Sequence, residues 1–107
     1  MSKTIRLCKT KLAGTFAENR RENLAHLVDN TSLVLVREPE NPYDCNAIAV
    51  KDAAGGMLGY IPAVQAEILA VLADRGFVLR AYLLTPLSEM VVVGVAAPFG
   101  QGDFDAA

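Results

Sequence analysis

The strongest constraint on this chain is how often its apolar runs are cut short by turn-forming residues. Residues 32–37 (Ser-Leu-Val-Leu-Val-Arg) form a β-branched run that predicts a strand. Pro39, Asn41 and Pro42 break it at once, because proline has no N–H to give a ladder and asparagine favours turns. Residues 46–50 resume as a strand with Ile48 and Val50 on one face. Ala54-Gly55-Gly56 then reads as a hairpin turn, and residues 57–61 return as the partner strand. Short strands with turns this close favour a small antiparallel barrel or curled sheet.

The flanking segments extend the same pattern. Residues 4–9 alternate loosely between apolar and basic side chains and predict a first strand with one wet face, followed by a bend at residues 12–15. Residues 18–28 fit one short amphipathic helix, with Leu24, Ala25, Leu27 and Val28 apolar against Arg20, Arg21 and Glu22. Pro62 is suited to the first position of a second helix, where its missing N–H is no loss. That helix carries an apolar stripe of Val64, Ile68, Leu69, Val71 and Leu72 and ends where Gly76 supplies a C′ residue. Residues 77–84 and 90–97 are two more strands, joined through Thr85-Pro86-Leu87-Ser88. The expected fold is mainly β with two helices (α+β), an OB-like or SH3-like barrel of about six strands. Residues 1–100 are expected to form one domain, and 101–107 a disordered tail.

Hydrophobic residues make up 52% of the 107, enough for a core without disulfide or metal support. No leader-like run follows the first residues and the longest late apolar run is too short to cross a bilayer, so a cytoplasmic protein without a membrane segment is expected. Cys8 and Cys45 are read as two reduced thiols. Paired zinc-ligand spacings are missing, and no cofactor or metal is expected. The net charge is −2, but the charges are unevenly spread. Up to Arg37 the bases are Lys3, Arg6, Lys9, Lys11, Arg20, Arg21 and Arg37, against Glu18, Glu22 and Asp29. A positive face on an acidic body attracts a polyanion, whereas the same residues scattered over the surface only solvate it.

Enzyme chemistry finds little support. Nucleophilic catalysis needs a nucleophile, a base and an orienting group. The lone His26 lies in a helical segment among Leu24, Ala25 and Leu27, and Cys45 has no histidine near it in sequence. Gly55-Gly56 lacks the context of a phosphate-binding loop. Glu38, Glu40 and Asp44 are close together but do not follow a calcium-loop spacing. A non-catalytic binding domain is therefore expected.

The informative segment is the turn between the second and third strands. Its two prolines limit the conformations lost on binding. Tyr43 offers a ring for stacking on a base. Asp44 can accept a hydrogen bond from a sugar hydroxyl and repels a phosphate. The same residue types also stabilise turns by bonding to their own backbone.

Residues 37–50, Arg-Glu-Pro-Glu-Asn-Pro-Tyr-Asp-Cys-Asn-Ala-Ile-Ala-Val, followed by Gly59-Tyr60-Ile61-Pro62, resemble the HIRAN domain family. Ala13-Gly14 and Ala97-Pro98-Phe99-Gly100 fall where that family has similar elements, so the resemblance spans nearly the whole chain. It implies a modified OB-like barrel with two helices, found fused to remodelling helicases and nucleases or alone in bacteria and phages. Its eukaryotic helicase-linked members grip the 3′-hydroxyl end of single-stranded DNA. Position by position, Tyr43 and Asp44 match the end-binding aromatic and carboxylate, and Asn41 lies in the same motif. Tyr60 stands where an end-binding member has histidine, and Phe99 matches an aromatic lining the pocket. Two features differ: Thr15-Phe16-Ala17-Glu18-Asn19-Arg20 replaces an Arg-Tyr-Tyr run, and Ala63 replaces a lysine.

The resemblance implies a module that binds single-stranded DNA or DNA ends in DNA repair or processing. Tyr43 and Phe99 are its stacking residues, Asp44 its hydroxyl acceptor, and Arg20, Arg21 or Arg37 its phosphate contacts, with Phe16, Arg20 and Arg21 the candidates to replace the missing Arg-Tyr-Tyr run. The alternative is a protein-interaction module of the same fold that targets a helicase or nuclease without binding DNA itself, and a third, weaker reading is a metal-dependent enzyme using the carboxylates from Glu38 to Asp44.

Overall fold

The computed structural model describes residues 4–96. Its elements run β1 (Thr4–Lys11), α1 (Arg20–Ala25), β2 (Ser32–Arg37), β3 (Ile48–Lys51), β4 (Met57–Tyr60), α2 (Ala63–Asp74), β5 (Leu79–Thr85) and β6 (Met90–Ala96). This is the element order read from the sequence. Phe99 and the expected tail lie outside the described residues.

The six strands pair antiparallel throughout, in the order β1-β6-β5-β2-β3-β4. Period-two alternation decides which face is inside. Leu33, Ile48, Val50, Leu58, Leu83, Val91 and Val93 from five strands are buried in one cluster, joined by Leu24 of α1 and Leu69 of α2. Each such side chain contributes roughly 1.5–3 kcal/mol by leaving water, so this interior dominates the stability of the curled sheet.

The curl brings the end of β1 round to β4. Ala13 and Tyr60 form an isolated antiparallel bridge, with Ala13 N–H donating to Tyr60 O at 2.8 Å and Tyr60 N–H to Ala13 O at 2.9 Å. The half-barrel is thereby closed at one point. Gly59 permits the approach, because a Cβ there would stand 2.7 Å from Ala13 O. The sequence reading of residues 12–15 as a plain bend missed this bridge, since a pairing between residues so far apart leaves no local pattern.

The turns follow their residue chemistry. Asp52 Oδ1 accepts from Ala54 N–H at 3.0 Å and Gly56 N–H at 2.8 Å, fixing the hairpin between β3 and β4. Gly76 takes φ +92 just past the Arg75 cap of α2, and Gly76 N–H and Phe77 N–H donate to Ala73 O and Leu72 O. That pair of bonds is a Schellman stop, as the C′ glycine predicted.

The ends of β1, β3, β4 and β5 lie one or two residues from those expected, and the helices differ more. Pro62 is the N-cap of α2, one residue before the first helical position. Helix α1 covers six residues and not eleven, because Glu18 adopts φ +49 ahead of it and Leu24 is its one buried residue. The buried face of α2 is Ala66, Leu69 and Ala70, while Val64, Ile68 and Val71 are exposed. Nine of the twelve residues of α2 are apolar, so the periodicity could not single out a face. Of the expected stripe, Leu69 is buried and Leu72 packs against the core.

Candidate functional site

The loop between β2 and β3 is held at its base, its middle and its tip. Glu38 N–H donates to Ala47 O at 2.9 Å, closing the base. Arg37 braces it from below: Nη1 donates to Cys45 O at 2.9 Å and Ala47 O at 3.1 Å. Its Nε and Nη2 form a fork onto Asp74 of α2, both at 3.0 Å. Asn41 organises the middle, its Oδ1 accepting from Tyr43 N–H at 2.9 Å and Asp44 N–H at 3.2 Å. This is the local side-chain-to-backbone bonding for which asparagine is favoured in turns. Asp44 Oδ1 accepts from Asn46 N–H at 2.9 Å, while its Oδ2 has no partner among the described residues. Pro39 and Pro42 restrict φ between these bonds. The result is a fixed loop that leaves the Tyr43 side chain 96% exposed.

Across from the loop stands Tyr60, placed by the bridge to Ala13. Its hydroxyl donates to Glu38 Oε1 at 2.9 Å, and Asn41 Nδ2 donates to the same oxygen at 2.9 Å. Glu38 therefore links the last residue of β4 to the residue that shapes the Tyr43 turn. Burial raises the Tyr60 phenol above its ordinary value, the hydrogen bond to Glu38 and the Glu38 charge add to that, and Arg20 opposes them. Tyr60 is thus held as a neutral donor. The Arg20 guanidinium lies 5.4 Å from the Tyr60 ring centroid, within cation–π range, and its Nη1 donates to Gly14 O at 2.9 Å. Its Nε is buried without a partner among the described residues.

These groups surround a depression of about 420 Å³, lined by Ala13, Arg20, Asn41, Pro42, Tyr43, Asp44, Ala47, Tyr60, Ile61 and Ala63. The structure brings Tyr43, Asp44, Asn41, Tyr60 and Arg20 together. Phe16 (77% exposed), Arg21 and Arg37 are not in this lining. Arg21 is paired with Glu89 at 3.3 Å, and the Arg37 fork is occupied by Asp74. Phe99 lies outside the described residues.

Sequence reasoning missed Glu38 as an organising residue, having read it as one of three loosely clustered acids. Its three-residue separation from Asn41 is the only local hint, because Tyr60 comes from a different strand. Among the described residues, no group of three His, Cys, Asp or Glu side chains is placed to hold a metal ion. Cys8 and Cys45 are free thiols, and no helix of the described residues is long and apolar enough to cross a membrane.

The HIRAN domain family matches residues 7–92, a span that contains the whole loop, the bridge and the depression. The chain belongs to the HIRAN family. This HIRAN domain is 45% identical over 50 residues to the helicase-like transcription factor of Oryctolagus cuniculus, a segment that is 46% of this chain and 5% of that protein. Its fold is similar to a crystal structure of a Lactobacillus plantarum protein, with TM-score 0.75, 25% identity, and coverage of 90% of this chain and 96% of that one. It is also similar to the crystal structure of the HIRAN domain of human HLTF, with TM-score 0.72, 22% identity, and coverage of 89% and 78%. The family and fold read from the sequence are therefore those of the protein, a small binding domain.

Proposed function

We propose that this HIRAN domain binds single-stranded DNA or frayed DNA ends, in DNA repair or processing, and takes the 3′-terminal nucleotide into the depression beside Tyr43. The observation that carries this reading is the grouping of an almost fully exposed ring, a carboxylate oxygen without a partner and a guanidinium around one depression. The Tyr43 ring stacks on the terminal base. Asp44 Oδ2 accepts the terminal hydroxyl and disfavours a phosphate in its place. Arg20 meets the next phosphate along the strand. Ala63 lies in the lining where end-binding relatives are expected to carry lysine, so no cation is supplied from that position.

The test is fluorescence anisotropy with a short labelled strand whose 3′ end is either hydroxyl or phosphate, across a salt series. Preference for the hydroxyl end and weakening with salt are expected. Equal binding of the two ends would remove Asp44 from its assigned role.

A second reading has its own supporting observation. Val64, Ile68 and Val71 are 76%, 66% and 49% exposed along one side of α2. Such a stripe suits a protein contact, and the partner in this reading is a separately encoded helicase or nuclease. An apolar contact of that kind persists at salt concentrations that release DNA.

A further inference from the structure

Three neighbouring strands of this acidic chain carry only positive charge. Strands β1, β6 and β5 together hold Arg6, Lys9, Lys11 and Arg80 and not one carboxylate. Strand register places the four on one face. Arg6 and Arg80 both oppose Gly94. Lys9 and Tyr82 both oppose Val92, and Tyr82 also opposes Ser32 of β2. Lys11 opposes Met90. Directly opposed residues share a face of the sheet, and Thr10, Ala81, Leu83, Val91 and Val93 are buried on the other. All four cations are exposed, and none takes part in the ion pairs of the described residues, Arg21–Glu89 and Arg37–Asp74.

The face also has relief. Gly94 presents no side chain between the two arginines, and a depression of about 360 Å³ lies there, with Arg6, Ser32, Arg80 and Tyr82 in its lining. The Arg6 guanidinium lies 5.9 Å from the Tyr82 ring centroid. This depression shares no lining residue with the one beside Tyr43.

We propose that the outer face of β1, β6 and β5 is a second binding site, which takes the phosphodiester backbone of a single nucleic-acid strand. Successive outward rows on a strand are about 6.6 Å apart, a step on the scale of successive phosphates in an extended strand. Arg6 and Arg80, flanking a glycine floor, form the row best suited to grip one phosphate, because guanidinium forks match its oxygens. Lys9 and Lys11 continue the track along β1, and Tyr82 offers its ring and hydroxyl beside it. A linear polyanion engages all three rows, whereas a compact anion engages one. The inference stands independently of end capture beside Tyr43.

The experiment compares a long labelled single strand with a trinucleotide, by anisotropy over a salt series. The variants are the doubles Arg6→Ala with Arg80→Ala and Lys9→Ala with Lys11→Ala, each checked for folding by thermal melting. For the long strand, each double should lose affinity several-fold at low salt, and the slope of log affinity against log salt should flatten by about 0.7 for each cation removed. Trinucleotide binding should be unchanged in both, while Tyr43→Ala should weaken the trinucleotide and leave the salt slope of the long strand intact. Wild-type affinity and slope in both folded doubles would overturn the proposal. So would a face that binds phosphatidylserine vesicles and not the strand.

Discussion

Tyr60 and Glu38, 22 residues apart, share one hydrogen bond of 2.9 Å, and through it the closing strand of the barrel supports the loop between β2 and β3. Glu38 Oε1 serves Asn41 at the same time, and Asn41 in turn holds the backbone of Tyr43 and Asp44. The Tyr43 turn is thus tied to the sheet by this chain of bonds. Glu38→Ala removes the acceptor from two donors and should cost roughly 1–3 kcal/mol, the scale for leaving polar groups unsatisfied. Urea denaturation checks the loss. Glu38→Gln keeps an oxygen at the site and should restore much of it.

The Tyr43 side chain touches little of its own protein, so Tyr43→Ala should leave the melting temperature unchanged. Under end capture it should reduce affinity for a single strand by roughly 1–3 kcal/mol, the contribution of one base stack. Anisotropy on the folded variant decides the matter: unchanged affinity removes Tyr43 from the contact.

Alkaline titration reports on Tyr60. Burial and the Glu38 bond raise its phenol in the folded state, so the stability this contributes is present below the ordinary tyrosine range and fades as pH rises through the raised value. In Tyr60→Phe the phenol that ionises above the ordinary tyrosine range should vanish from the ultraviolet titration of the folded protein, and the alkaline loss of stability should shrink.

Acid acts at the other end of the loop. The Arg37 fork holds the Asp74 carboxylate below its ordinary value. A depressed carboxylate stabilises above its unfolded value, and that contribution disappears as pH falls through the folded one. Asp74→Asn should flatten this part of the pH dependence in thermal melts. Arg37→Ala should destabilise more than Asp74→Asn at neutral pH, because it also strips the donor from the Cys45 and Ala47 carbonyls.

Gly59→Ala tests the closure of the half-barrel. The added methyl would stand 2.7 Å from Ala13 O, a backbone atom that can move only by opening the bridge. A cost of about 1–3 kcal/mol is expected, the range for overpacking a close contact. Faster amide exchange at Ala13 and Tyr60 should accompany it.

The elements, their order and the character of one loop are legible in the residues alone. β-Branched runs, prolines and glycines act through the local backbone, so the strands, the Asp52–Gly56 hairpin and the Gly76 stop could be read residue by residue. So could the Tyr43-Asp44 turn, whose Asn41 bonds span no more than three residues. What those pieces face depends on long-range packing. The Ala13–Tyr60 bridge, the Glu38–Tyr60 bond and the burial of Ala66 and Ala70 in place of Val64, Ile68 and Val71 all join distant segments. The basic cluster shows the difference most plainly. Its members lie within the first 37 residues, yet the fold committed Arg37 and Arg21 to carboxylates, turned Arg20 toward Tyr60, and ranged Arg6, Lys9 and Lys11 with the distant Arg80. Charge acts through space, and the register of paired strands sets which charges share it.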